Sequence, residues 1–455
     1  MNQHILEKYN VPVPRYTSYP PANFFRDDFT ERNLLQAIEE SNSQRPHHIS
    51  FYIHIPYCKR MCYYCGCNSY PRTGEADEKA YVEAVLKEIE LVCDKIDKSR
   101  KIAQIHYGGG SPSSIDLNLI RKINDSLFSK FDCIENPEIA IECHAGYLTE
   151  KDFQSLIDAG FNRMSIGIQD FDNNVLKASN RIPTLLPIEQ IFELLRSNGI
   201  RINLDFIYGL ALQTADSFSK TIEKAVALSP DRLVTFSYAH LPSLFPRQKF
   251  LERSGLPSEN EKDKMYHAAQ KILLEAGYKQ IGLDHFVREN DELFEAWQMH
   301  NLNRNFQGYC TRRTTGQVYA FGVTGISQLT GAYAQNTKVI SEYVETVNSG
   351  HIPVKKGYRL NNDEQITREV ITDLMCNDQI EWQQIATRLN LTIAEVKAAT
   401  AYSEQKMQEF AADGIIDFDE NHLVMKEKGS PFLRNVAASL DKLLIHSNKL
   451  FSKPI

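Results

Sequence analysis

Between about residues 50 and 280, short β-branched or aromatic runs alternate with longer polar–apolar periodic stretches, the pattern of successive strand–helix units. The strand candidates are Phe51–Ile55, Ala103–Tyr107, Ile139–Cys143, Met164–Ile168, Ile202–Ile207 and Leu233–Tyr238. Helix candidates lie near Asp77–Lys98, Leu117–Ser129, Glu150–Ala159, Pro187–Ser197, Ala215–Leu228 and Ser258–Ala276, several stopped by Gly. Six such units predict an α/β fold built as a partial (β/α)6, TIM-like barrel, because parallel strands need helical crossovers. In such barrels chemistry sits at the carboxyl ends of the strands. Those ends carry the unusual residues: a cysteine cluster after the first, Gly108-Gly109-Gly110-Ser111-Pro112 after the second and Glu142-Cys143-His144 after the third. The fourth ends at Gln169-Asp170, the fifth runs from Asp205 to Gly209, and the sixth ends at Tyr238-Ala239-His240-Leu241-Pro242.

A chain of 455 residues exceeds one core, so flanking units are expected on either side of a catalytic domain over 51–355. Residues 1–50 contain Pro14-Arg15-Tyr16-Thr17-Ser18-Tyr19-Pro20-Pro21, too broken by proline for a helix, and read as an arm packed across the barrel. Residues 356–455 read as a mostly helical, winged-helix-like domain. Its helices are expected at Asp363–Cys376, Glu381–Leu389 and Ile393–Ala412, followed by a hairpin from Asp417 to Met425 and a last helix. Residues 363–455 hold 10 Lys+Arg against 15 Asp+Glu, so this wing is ill suited to DNA. The net charge of −7 argues the same way for the whole chain, and 42% hydrophobic with 24% charged residues is ordinary for a soluble globular protein. No secretory-type start and no long uncharged apolar run is present, so a cytoplasmic monomer without nucleic-acid or membrane partners is expected.

Nine cysteines are too few for a disulfide scaffold in so long a chain, and four fall between positions 58 and 67. Cys58-Lys-Arg-Met-Cys62-Tyr-Tyr-Cys65 has the spacing C-x3-C-x2-C, three thiols on one tight loop. A 4Fe–4S cubane needs four ligands, so three thiolates leave one iron open. S-adenosylmethionine can fill that position through its amino and carboxylate groups, and an electron from the cluster then breaks a sulfonium carbon–sulfur bond. A zinc site is the competing reading, but no second Cys or His pair closes a tetrahedron at suitable spacing. Cys67 can be a spare ligand, a packing residue or a cofactor contact. The glycine triplet can bring backbone amides up to a ligand, or be an ordinary strand-to-helix turn.

With these features in view, the chain resembles radical S-adenosylmethionine enzymes, and among them the oxygen-independent coproporphyrinogen III oxidases. The resemblance is carried by Pro14-Arg15-Tyr16-Thr17-Ser18-Tyr19-Pro20, Tyr52-Ile-His-Ile-Pro-Tyr-Cys58, Cys65-Gly66-Cys67-Asn68, Ser165-Ile-Gly-Ile-Gln169-Asp170-Phe171, Asp205-Phe-Ile-Tyr-Gly209, Tyr238-Ala-His-Leu-Pro242, Asn305-Phe-Gln-Gly-Tyr309 and Tyr333-Ala-Gln-Asn336. It implies decarboxylation of two propionates of coproporphyrinogen III to vinyl groups, giving protoporphyrinogen IX in haem biosynthesis. It also implies a cluster on Cys58, Cys62 and Cys65, two S-adenosylmethionine molecules per chain, an electron donor for the cluster and an electron acceptor. By motif, Tyr52 and Cys67 would lie beside the first cofactor, Gly109 and Gly110 at its methionyl end, and Glu142 at its ribose. Gln169, Arg181 and Asp205 would complete that pocket, while Ala239, Phe306, Gln307 and Ile326 would border adenine or the second cofactor. Arg15 and Tyr16 would hold a substrate propionate. Without the motifs, Arg181 reads as an ion pair and Asp205 as a turn cap.

Two stretches depart from the family pattern, Cys143-His144-Ala145-Gly146 after Glu142 and Leu210-Ala211 after Gly209, and both flank the expected pocket. A haem-opening radical methyltransferase and a haem-binding chaperone of the same superfamily are the rival readings. The arm motif and the place of Cys67 favour the oxidase.

Overall fold

In the computed structural model, residues 3–282, 284–445, 447, 449 and 451–452 are described. The first expected strand forms as β1 (Ile49–Ile55), followed by β2 (Ile102–Gly109), β3 (Cys133–Cys143), β4 (Arg163–Gln169), β5 (Arg201–Tyr208) and β6 (Arg232–Ser237). All five neighbouring pairs are parallel, and every residue of β1 but Tyr52 is buried, as befits a strand covered on both faces. The connecting helices form where periodicity placed them. Ile188–Ser197 buries Ile188, Ile191, Phe192 and Leu195, one stripe at helical spacing. Asp116 caps Leu117–Lys130, and Thr149 with Asp152 forms a capping box on Glu150–Asp158.

Beyond the six units the chain adds six strands that sequence reading did not place: β7 (Lys279–Ile281), β8 (His285–Val287), β9 (Gln317–Phe321), β10 (Ile326–Gln328), β11 (Ala332–Asn336) and β12 (Val354–Arg359). The sheet order is β12-β11-β10-β9-β1-β2-β3-β4-β5-β6-β8-β7. Strand β9 joins β1 in parallel, while β10–β12 and β7–β8 extend the two edges antiparallel. The order runs from one end to the other without returning, so the barrel is partial.

Its amino-terminal end is closed by charge rather than by apolar packing. Arg163, Arg201 and Arg232 are the first residues of β4, β5 and β6. Arg163 Nε donates to Glu138 at 2.9 Å, and Arg232 donates to both oxygens of Asp291 at 2.8 and 2.9 Å. Gln104 donates to Glu138 at 2.9 Å, and Glu292 receives Arg201 and Arg313. Burial alone would raise the Glu138 carboxyl, but the charges of Arg163 and Arg232 hold it down at about 2.

The C-terminal unit has helices at Asn362–Asn377, Trp382–Leu389, Ile393–Ala399, Glu404–Ala412 and Leu433–Ser439. The single helix expected over Ile393–Ala412 is two, because Thr400 turns extended and Ser403 starts a new N-terminus. The hairpin of Ile416–Phe418 and His422–Met425 is joined by Gln379–Glu381 into a three-stranded sheet, the wing of a winged-helix arrangement. The arm does not lie across the barrel as one piece. Tyr9, Tyr16 and Tyr19 pack into the C-terminal core with Leu374, Phe410 and Phe432, whereas Leu34, Ala37 and Ile38 of the helix Glu31–Ser41 join the barrel core. A Thr30 capping box starts that helix, a signal the proline-rich stretch before it overshadowed.

Candidate active site

Strand register delivers polar side chains to the barrel interior in a row. Tyr52 pairs with His106, Glu142 with Ser165, Gly167 with Asp205, Asp205 with Val234 and Val234 with His285. Tyr52 stacks on His106 with ring centroids 6.2 Å apart, and His106 Nε2–H donates to Glu142 at 3.2 Å. His54 Nε2–H is taken by the Asn68 carbonyl at 3.0 Å, so its Nδ1 accepts from the Tyr52 hydroxyl at 3.1 Å. Burial pushes His54 down to about 4, which keeps this ring neutral. Ser165 donates to Asp205 at 2.8 Å. Burial pushes the Asp205 carboxyl up to about 6 against that hydrogen bond, and the charge of Glu142 adds to the rise.

These strand ends enclose a cavity of about 540 Å³. Cys58, Cys62, Cys65 and Cys67 line it, together with Gly109, Gly110, Glu142, Gln169, Arg181, Asp205, Ala239 and Gln307. The glycine turn is required first by packing. Gly109 has φ +116°, and a Cβ there would come within 2.7 Å of the His54 ring; at Gly110 it would meet the Pro56 carbonyl oxygen at 2.7 Å. Buried Arg181 donates through Nη1 to Cys62 Sγ at 3.5 Å and to the Tyr64 hydroxyl at 3.2 Å, and through Nη2 to the Gly167 carbonyl. It is therefore no surface ion pair. Gln169, at φ 69°, leaves Oε1 buried without a partner among the described residues, as do Asn68 Nδ2 and His144 Nε2. Unpaired buried polar atoms are costly, and such atoms at a cavity mark where a ligand is met.

Not every residue expected at the site reaches it. Phe306 and Ile326 pack beside Phe25 and Tyr333 in a small apolar cluster behind the wall that Gln307 lines. Arg15 and Tyr16 turn to the C-terminal unit and are not among the residues that line the cavity. Arg15 Nε donates to Ser452 at 3.5 Å, and the buried Tyr16 hydroxyl donates to Asp441 at 2.9 Å. Conversely, sequence reading gives no site role to His106, Ser165 or His285, whereas His54 reads as a satisfied or cluster-facing packing residue on its strand. His106 sits two residues from Gln104, as His54 does from Tyr52, an inward-facing period that was there to be read.

A sequence profile of the Radical SAM superfamily matches residues 52–225, and one of the HemN C-terminal domain matches residues 360–432. The oxygen-independent coproporphyrinogen III oxidase of Synechocystis is 36% identical over 455 residues, covering 99% of this chain and 97% of the relative. That of Escherichia coli is 35% identical over 444 residues, covering 97% and 95%. The solved structure of coproporphyrinogen III oxidase (HemN) from Escherichia coli, described as a radical SAM enzyme, matches with a TM-score of 0.86 at 33% identity, covering 97% of this chain and 99% of that one. The chain belongs to the oxygen-independent coproporphyrinogen III oxidase family.

Membership of this oxidase family brings a 4Fe–4S cluster and S-adenosylmethionine to the site, and the cysteine loop suits them. Burial pushes the Cys58 thiol up to about 12, and the neighbouring Cys65 and Cys62 add to the rise. Three thiolates this close repel one another unless cationic irons sit among them. Cys65 is held down at about 6, chiefly by hydrogen bonding from Cys67, which favours the ligating thiolate. Among the described residues no three His, Cys, Asp or Glu side chains converge on a single metal ion. A cubane takes each thiolate on a different iron and needs no such convergence. No helix among the described residues is long and apolar enough to cross a membrane. Neither rival tetrapyrrole reading is favoured by these relatives.

Proposed function

We propose that this protein is an oxidoreductase that removes two propionate carboxyls of coproporphyrinogen III oxidatively and without oxygen, leaving the vinyl groups of protoporphyrinogen IX. The observation that carries this reading is the convergence of Cys58, Cys62 and Cys65 with Glu142, Gln169, Arg181 and Asp205 on one cavity, in a family member matched over its whole length. A cluster held by Cys58, Cys62 and Cys65, together with S-adenosylmethionine, would supply the radical chemistry that removes a hydrogen atom from a propionate β-carbon. Carbon dioxide and one electron then leave the substrate, the electron passing to an acceptor.

The chain's own residues hold and orient. Glu142, steadied by His106, accepts from ribose hydroxyls, and Gln169 Oε1 is a second acceptor awaiting a donor. Arg181 ties the Cys62 thiol to β4 and offers its charge to a cofactor carboxylate. Tyr52 and Cys67 shape the cofactor's seat, and Gly109 and Gly110 admit its methionyl end. A second S-adenosylmethionine would stand against Ala239 and Gln307, with Phe306 and Ile326 backing that wall. We divide the chain into an arm (1–50), a catalytic domain (51–355) and a C-terminal domain (356–455). A reducing, cytoplasmic setting is supported by the nine free thiols.

Anaerobic incubation of the reduced, reconstituted protein with coproporphyrinogen III, followed by chromatography of the tetrapyrroles, tests the reading. Divinyl product from the wild type and none from Cys62→Ser is expected. Decarboxylation that persists in Cys62→Ser would sink the radical mechanism. Counting the methionine released, and S-adenosylmethionine bound at saturation, tests the second cofactor.

A further inference from the structure

Away from the cysteine loop, the same cavity is lined by a histidine that a carboxylate holds in place. His285 opens β8, and its Nδ1 lies 2.6 Å from Asp284 Oδ1. Burial works against the charge on Asp284, but the His285 hydrogen bond and the positive charges of His285 and Arg304 outweigh it, so the carboxyl stays below its usual range. Asp284 is thus the acceptor and Nδ1 carries a hydrogen, which leaves Nε2 as the atom that deals with the cavity. The hydrogen bond found for this ring among the described residues is made at Nδ1, and the residue lines the cavity. The ring cannot easily swing, because Phe236 and Tyr309 meet it edge-on, with centroids 6.4 and 5.1 Å away at 89° and 83°.

Two further observations say what this nitrogen would meet. Of the other cations of the lining, Arg163 and Arg232 are engaged with Glu138 and Asp291, and Arg181 with Gly167, Cys62 and Tyr64, while Lys59 and Arg60 stay with the cysteine loop, against the Tyr147 ring and Asn180. Phe236 and Leu241, both on the cavity lining, are exposed apolar side chains that suit the faces of a large ring. An oriented imidazole nitrogen beside an apolar shelf matches a molecule that is apolar in its body and polar at its edge.

We propose that His285, oriented by Asp284, is the seat of one propionate carboxyl group of the reduced tetrapyrrole, received at Nε2. This rests on the coproporphyrinogen reading above and adds a substrate-binding residue to it. No bond is made or broken at His285. Asp284 acts as a positioning residue, fixing the orientation of the imidazole through Nδ1.

The test uses reconstituted holoenzyme under anaerobic conditions and measures dissociation constants for coproporphyrinogen III, for its tetramethyl ester and for S-adenosylmethionine. His285→Gln should weaken the acid by about tenfold or more, the scale of a lost charge-assisted hydrogen bond. It should leave the ester, S-adenosylmethionine and the cluster's absorption spectrum as in the wild type. Asp284→Asn should weaken the acid less and also spare the other three. Equal binding of the acid by His285→Gln and wild type overturns the proposal, and so does an equal loss for acid and ester, which would mean a packing role. A wild type that decarboxylates coproporphyrinogen while His285→Gln binds it normally overturns the seat alone. A wild type that neither binds nor converts it overturns the functional reading and the seat together.

Discussion

At the amino-terminal end of the barrel, Glu138 takes hydrogen bonds from Gln104 and Arg163, and Arg232 clasps Asp291 through two nitrogens. At the carboxyl end of the same strands, Asp205 has one donor in Ser165, Gln169 Oε1 and His144 Nε2 have none, and three thiols crowd one loop. Both ends bury polar groups in one cavity wall. The first end pairs its charges internally, although Arg163 Nη2 lies 3.7 Å from Glu292 without a hydrogen bond among the described residues, so its charges stabilise the fold. The second leaves them wanting, so its groups cost stability until something binds. Opposite pKa shifts express this, with Glu138 pulled down to about 2 and Asp205 pushed up to about 6.

The largest break in that contrast is Cys62→Ser. Product formation should fall to background, because two thiolates no longer hold the cubane against exchange. The urea midpoint of the apo protein should scarcely move, because removing one crowded thiol relieves repulsion rather than packing. A loss of apo stability comparable to a core truncation would show that the loop is structural.

At the other end, Arg232→Met should leave buried Asp291 without its two-nitrogen partner, while Glu292 keeps Arg201 and Arg313, and should cost about 3–5 kcal/mol, read from urea unfolding at neutral pH. The pH dependence has a definite sign. The Glu138 carboxyl falls from an ordinary 4.5 to about 2 in the fold, so its contribution is full above 4.5 and is lost as pH falls towards 2. Glu138→Gln should be less stable than wild type at neutral pH and should flatten the acid limb of the stability profile between those values. An unchanged acid limb would mean that the ion network is not what holds this end.

The same contrast divides what the sequence displayed from what it hid. Strands β1–β6 were legible because each buries at least one face, nearly every residue in β1 and alternate residues in β4 and β5, which calls for short runs rich in β-branched side chains. Cys58, Cys62 and Cys65 were legible because their chemistry depends on local spacing. The ion network was not, since Glu138, Arg163, Arg232 and Asp291 meet only through strand register. Strands β7–β12 are mostly three to six residues long and pair largely as antiparallel edges, so neither length nor periodicity announced them. His285 was hidden for the same reason, in a three-residue strand whose partner lies on β6. Of the residues that motif resemblance singles out, Gln169 and Arg181 line the cavity whereas Arg15 and Tyr16 face the C-terminal unit, because a motif marks shared residues without saying which unit they face.

Asp205→Asn sharpens the contrast at a smaller scale. The carboxyl's fold value of about 6 lies above its ordinary 3.8, so its contribution is full below 3.8 and is lost as pH rises through 6. At pH 7.5 the apo protein carries this buried charge at a cost, and the amide should stabilise it by about 1–3 kcal/mol. Turnover should fall at least tenfold, since the amide loses a charged acceptor for the cofactor. Thermal melts paired with product assays would decide it. Stability lost along with activity would place Asp205 with the structural end.

Tyr16→Phe carries the smallest expected effect and tests the arm. Tyr16 and Tyr19 donate to the two oxygens of buried Asp441, at 2.9 and 3.1 Å, across 425 and 422 residues of chain. Removing one hydroxyl leaves an oxygen of Asp441 short of a donor, which should cost about 1 kcal/mol. Because Tyr16 packs with Phe410 and Phe432 away from the cavity, the dissociation constant for coproporphyrinogen III should stay at the wild-type value. Fluorescence titration of the variant beside a urea melt separates the outcomes. A weakened substrate with unchanged stability would return Tyr16 to the substrate's side, and would mean that the arm leaves the C-terminal core when the tetrapyrrole binds.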